Sequence, residues 1–171
     1  MRKLGIVLAI IVLLSGCHVK PETELETVSD DFGPLRSQPY RIVFTVPEDV
    51  IQETFGDQNT ISVYTAENGD YRITTEVLDT GDVDLAIETI CGIPADRLDV
   101  VELNRAPMKE FHFAWSSTGE EETTVSKTAL IATEDHCYAL TMTEKVGLGK
   151  VYQETAESVF GTFALCADDV A

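Results

Sequence analysis

Residues 61–78 read ISVYTAENGDYRITTEVL, and the pair at the centre, Asn68-Gly69, sets the reading of everything around it. Both flanking runs are rich in β-branched and aromatic residues, which suit a pleated strand. Asn and Gly tolerate positive φ, so the pair fits a two-residue turn whose twist matches two antiparallel strands. The stretch predicts a β-hairpin, and the other segments are assigned outward from it.

Upstream, Tyr40, Ile42, Phe44 and Val46 alternate with Arg41 and Thr45, a period-two strand that Pro47 stops. A short helix is expected next, with apolar positions Val50, Ile51 and Phe55 and a stop at Gly56. Downstream, GDVDLAIETICG (residues 81–92) predicts a helix. Asp82 caps its first turn, Asp84 and Glu88 complement its dipole, Gly92 ends it, and Val83, Ala86, Ile87, Ile90 and Cys91 share one face. Residues 98–103, 108–117, 123–133 and 136–144 then read as four strands joined by short polar links, which favour antiparallel neighbours. Residues 149–165 predict a closing amphipathic helix with Val151, Tyr152, Thr155, Ala156, Val159, Phe160 and Phe163 inward. The fold class is α+β, an antiparallel sheet of about seven strands flanked by about three helices.

At the N-terminus, Arg2 and Lys3 precede an apolar run from Leu4 to Leu14. That run is shorter than the ~20 residues that span a bilayer as a helix, and it reads as an export signal. Leu14-Ser15-Gly16-Cys17 resembles the lipobox of bacterial lipoproteins. The resemblance implies that the Cys17 thiol carries a diacylglycerol and that the chain is cut just before it. Residues 1–16 are then a lipoprotein signal peptide, 17–39 the lipidated cysteine and a disordered tether, and 40–171 the folded domain. The tether holds Pro21, Pro34 and Pro39, a run of acids and little apolar periodicity. Two acyl chains make a stable anchor where one is marginal. The expected location is the extracytoplasmic face of the cell membrane, or the outer membrane in a two-membrane cell.

The chain carries 12 Lys and Arg against 30 Asp and Glu, a net charge of −18. Removal of residues 1–16 takes away Arg2 and Lys3 and no acid, which leaves −20. Such a surface repels nucleic acid and disfavours lying flat on anionic lipid, so no nucleic-acid partner is expected.

Few residues suggest chemistry. His18 sits in the tether, which leaves His112 and His136. Phe111, Phe113 and Trp115 point to one face of their strand and read as core, in preference to a sugar-stacking platform. Glu110 and His112 point to the other, where they form either a solvated strand face or a metal or acid–base pair. His136 and Cys137 are adjacent, and neighbours in a strand face opposite ways, so they form no nucleophile–base dyad. Asp79, Asp82 and Asp84 read as a cap with dipole complement, with a weak calcium site as the alternative. No G-x-S-x-G, H-E-x-x-H, Walker, paired C-x-x-C or EF-hand motif occurs, and no cofactor is expected.

With Cys17 lipidated, Cys91, Cys137 and Cys166 remain, and export conditions favour one pair. A closing helix antiparallel to the last strand would bring Cys166 beside Cys137, so Cys137–Cys166 is the expected disulfide. The Cys91–Cys137 pairing ranks second.

The order of a strand ending in V-P, a short helix, a hairpin, a helix, an antiparallel meander and a closing amphipathic helix ending in F-G-T-F resembles the PsbP-like fold. RIVFTVPEDV (41–50), YALTMTE (138–144) and SVFGTF (158–163) carry the likeness. That superfamily includes a chloroplast subunit of the oxygen-evolving complex, a small Ran-binding protein and DcrB-type bacterial lipoproteins. The resemblance implies a module that binds or assists without catalysing, here tethered to the membrane and acting on an unidentified envelope protein. The alternatives are a metal-dependent envelope enzyme and a small-ligand or calcium-binding protein.

Overall fold

The computed structural model describes residues 40–53, 59–105, 108–119 and 122–167. The expected signal peptide, Cys17, His18, the tether and the positions Phe55 and Gly56 lie outside the described residues.

Among the described residues, nine strands and two helices follow in chain order: β1 Tyr40–Val43, β2 Val50–Glu53, β3 Thr60–Ala66, β4 Tyr71–Leu78, α1 Val83–Cys91, β5 Val101–Arg105, β6 Met108–Thr118, β7 Thr123–Ala132, β8 Cys137–Lys145, α2 Gln153–Gly161 and β9 Ala164–Ala167. A 3-10 turn, Ala95–Arg97, joins α1 to β5. Seven strands form one sheet in the order β2-β3-β4-β8-β7-β6-β5, while β1 and β9 make a separate pair. All pairings are antiparallel.

The hairpin forms as expected, with Thr65 opposite Arg72. Its turn is longer than the two residues expected, since 67–70 connect the strands. Gly69 supplies the left-handed φ of 73° and donates its N–H to the Ala66 carbonyl at 2.8 Å. The Asn68 side chain accepts from Asp70 N at 3.0 Å, closing a local turn. Helix α1 also matches the sequence. Asp82 accepts from Asp84 N and Leu85 N, and Gly92 caps the C-terminus at φ 71°.

Two segments differ from expectation. The short helix expected from Val50 is strand β2, paired Val50 to Ala66 and Gln52 to Tyr64. Three apolar positions in a short run fit either period, and an available edge decided in favour of the β-branched pair. The closing helix stops at Gly161, and Ala164–Ala167 becomes β9. Thr162 marks the change, since its hydroxyl accepts from Thr45 N at 2.8 Å and donates to the Ser158 carbonyl at 2.7 Å. Strand β9 supplies the ladder partners of β1, with Arg41 opposite Cys166. The premise that carried Cys166 to Cys137 is thereby lost. Cys137 is buried and Cys166 exposed, and Cys91, Cys137 and Cys166 are all free thiols, so neither the Cys137–Cys166 nor the Cys91–Cys137 bond is formed.

The sheet has two buried faces. On one, Leu78, Phe113, Leu130, Cys137 and Ala139 pack with Ala86 and Ile87 of α1, and Phe111 and Trp115 lie against them. The aromatic row of β6 is therefore core, with the Phe113 and Trp115 rings stacked at 5.6 Å. The register puts Ile73, Leu140 and Met142 on the opposite face, all at most 2% exposed. Helix α2 covers that face through the contacts of Phe160 with His112 and of Tyr152 with Tyr71. Each such aliphatic side chain contributes roughly 1.5–3 kcal/mol by burial.

Candidate functional site

Between α2 and the β6–β7 part of the sheet lies an open groove of about 610 Å³, within the range of small-molecule and peptide sites. Strand alternation brings His112 and Ala114 of β6 and Lys127 of β7 to its floor, and α2 contributes Gln153, Ala156, Glu157 and Phe160. Ala114, small and paired with Lys127, keeps the floor low between His112 and Lys127.

Both groove-facing bases are held by a buried acid. Glu110, only 1% exposed, meets His112 through Oε1 and Nε2 at 2.5 Å. Lys127 Nζ donates to Oε1 of Glu144, itself 5% exposed, at 3.0 Å. Gly149 passes so near that carboxylate that a Cβ there would sit 3.1 Å from Oε1. Burial of a carboxylate costs several kcal/mol unless a partner answers it, so each acid needs its base. With Nε2 committed to Glu110, Nδ1 is the His112 ring atom left for other partners. Gln153 donates to Glu157 at 2.8 Å, an i,i+4 pair along α2.

Beyond α2's N-terminus, a hydrogen-bonded knot ties the helix to the hairpin. Tyr152 Oη accepts from Asn68 at 2.9 Å and donates to Asp70 at 2.8 Å, and its ring lies 4.8 Å from that of Tyr71. Tyr71 in turn donates to Asp49 at 2.6 Å. Burial, reinforced by the bond and the charge of Asp49, pushes the Tyr71 phenol well above its ordinary pKa, so it stays protonated.

The remaining sequence candidates separate. Burial first, and the charge of Asp82 second, push the Cys137 thiol to about 11, which makes it a poor nucleophile. His136 lies 3.7 Å from Asp79 and does not share the Cys137 face. Asp82 is engaged in capping α1. Among the described residues, no three or more His, Cys, Asp or Glu side chains are grouped to hold a metal ion. No helix of these residues is long and apolar enough to cross a membrane.

Sequence reasoning singled out Glu110 and His112 and missed Lys127, Glu144, Gln153 and Glu157. The last two lie on the helix that was expected. Lys127 and Glu144 meet only through the β7–β8 register, which the sequence does not encode locally.

No family model matches the sequence, and no curated protein matches it. Solved structures do. The cyanobacterial PsbP protein CyanoP of Synechocystis sp. PCC 6803 aligns with a TM-score of 0.53 at 7% identity, over 80% of this chain and 98% of that one. A protein of Bacteroides thetaiotaomicron VPI-5482 aligns at 0.51 and 12% identity, over 76% of this chain. This chain spans 46% of that protein's length. LpqN of Mycobacterium tuberculosis, described as involved in cell envelope biogenesis, reaches 0.45 at 14% identity, over 75% of this chain and 86% of that one. At these identities the likeness speaks to the fold alone, and the fold is PsbP-like, an antiparallel seven-stranded sheet with a helix on each face.

Proposed function

We propose that the chain is a lipid-anchored extracytoplasmic module that binds or assembles with an envelope protein and does not itself catalyse a reaction. One observation carries the reading: the polar groups of the groove are engaged with each other, His112 with Glu110, Lys127 with Glu144 and Gln153 with Glu157. Groups so matched make a shaped, oriented surface, whereas covalent or acid–base catalysis needs a nucleophile beside its base. The lipobox at Leu14–Cys17 and the excess of acids support the address. The likeness to CyanoP supports the PsbP-like fold of the module.

The address is tested with Cys17→Ala. The expected result is loss of processing and of partition into detergent, and an unchanged variant would refute the anchor. The module itself is tested by cross-linking the full chain in intact envelopes and identifying what it joins.

A second reading has its own observation, the buried Glu110 orienting His112 at the groove floor. An acid–base enzyme uses such a pair. Turnover of an ester, peptide or phosphate reporter that disappears in His112→Ala would establish it. Zinc retained through dialysis and lost in the same variant would establish the metal form of this reading.

A further inference from the structure

Among the described residues the seven-stranded sheet ends in two edges, β2 and β5. Among these residues strand β5 pairs with β6 alone, so one row of its backbone N–H and C=O groups faces outward and can receive another strand. Native edges are commonly guarded by charge or proline on their exposed faces. Here Glu102, ion-paired with Lys109 at 2.9 Å, charges one face of the strand, while on the other face Val101 is 54% exposed and Leu103 38%. Register sets Val101 beside His112 and Leu103 beside Glu110, so this apolar ledge runs into the groove whose wall is Phe160. The groove's bases are matched to Glu110 and Glu144, and the charge that remains at the rim is that of Asp99 and Glu157, both negative.

We propose that the free edge of β5 accepts an extended segment of a basic partner protein by strand addition. Its apolar side chains rest on Val101 and Leu103, and a Lys or Arg reaches Asp99 and Glu157 beside the Phe160 ring, where cation–π attraction adds to charge. The proposal rests on the assembly reading above and names its surface and the chemistry of its partner. Charge selects the occupant. At −20 once residues 1–16 are removed, two copies of the chain repel each other, and a basic segment is attracted. The other edge is a weaker candidate: β2 has four residues, and Ile51, paired with Thr65, is its one large exposed apolar side chain.

The test uses the full lipidated chain in phosphatidylcholine nanodiscs, with empty discs as blank. The probe is a fluorescent alternating Lys-Val peptide of about eleven residues, enough to pair along one strand, and its Glu-Val counterpart is the control. Binding is read by anisotropy, and the docking position by hydrogen exchange. The Lys-Val peptide should bind at least ~10-fold tighter than the control, a difference of about 1.4 kcal/mol. It should slow exchange in Val101–Arg105. The double variant Val101→Lys/Leu103→Lys, altered only at exposed positions and checked for fold by circular dichroism, should lose at least ~10-fold in affinity, while Ile51→Lys should not.

Absence of binding, equal binding of both peptides, protection at β2, an unaffected double variant, or protection of β5 by self-association without peptide would each overturn the proposal. If the double variant loses the peptide and keeps its cross-linked envelope partner, this edge is not the docking surface and the assembly reading stands. If no envelope partner exists for the wild type, the assembly reading itself falls.

Discussion

Glu110 and His112 stand two residues apart on β6, and their contact through Oε1 and Nε2 links a carboxylate that is 1% exposed to an imidazole that lies against Phe160 of helix α2. His112→Ala should therefore cost about 1–3 kcal/mol, because it leaves a buried acid short of a donor. Replacing both residues, Glu110→Leu with His112→Val, should cost less than the single change, as apolar substitution of a buried pair often does. Urea unfolding of the three proteins reads the order directly. A double variant less stable than His112→Ala would show that the pair is held by something other than this contact.

Burial predicts a steep contrast between two apolar positions. Leu140→Ala removes a fully buried side chain from the sheet face that carries Ile73 and Met142 and should destabilise by about 2–5 kcal/mol. Val151→Ala, at a position 67% exposed, should stay within about 0.5 kcal/mol. Similar losses at both positions would contradict the burial of Leu140 and the exposure of Val151.

Gly81 offers a tighter probe. A Cβ there would lie 2.1 Å from the Glu134 carbonyl oxygen, so the β4–α1 link touches the β7–β8 turn backbone to backbone. Gly81→Ala should cost about 1–3 kcal/mol, the range for overpacked sites. Thermal or urea denaturation checks it, and a neutral substitution would mean that the turn and the link are not in contact.

Cys137 makes the stability pH-dependent in a defined window. Its thiol is pushed from 9.0 to about 11 by burial. Between those values the unfolded thiol ionises while the folded one keeps its proton. The contribution is full below pH 9.0 and declines as pH rises through about 11, by at most about 1.4 kcal/mol per unit. Cys137→Ala should flatten that decline, measured by urea unfolding at stepped pH. In the folded protein at pH 8, iodoacetamide should label the exposed Cys166 long before Cys137.

Local signals proved sufficient wherever one segment carries its own start, period and stop. The hairpin around Gly69, helix α1 between Asp82 and Gly92, and the four-strand meander all have these. They failed where the partner decides the structure. Val50–Glu53 and Ala164–Ala167 are four-residue tracts whose identity as strands depends on β3 and on β1. The error at residue 164 carried the disulfide expectation with it. The groove divides in the same way. Glu110 and His112 are legible because they share a strand face, whereas Lys127 and Glu144 become neighbours only once β7 and β8 are in register.

The central claim, a membrane-tethered assembly module, is tested most directly by photo-cross-linking from position 103 of the full chain in intact envelopes, with mass identification of the adduct. The account predicts one dominant adduct with a basic envelope protein, abolished when Cys17→Ala releases the chain from the membrane. A chain that stays unlinked from position 103 and from exposed positions elsewhere on the domain, or adducts scattered over many unrelated proteins and indifferent to Cys17, would contradict it.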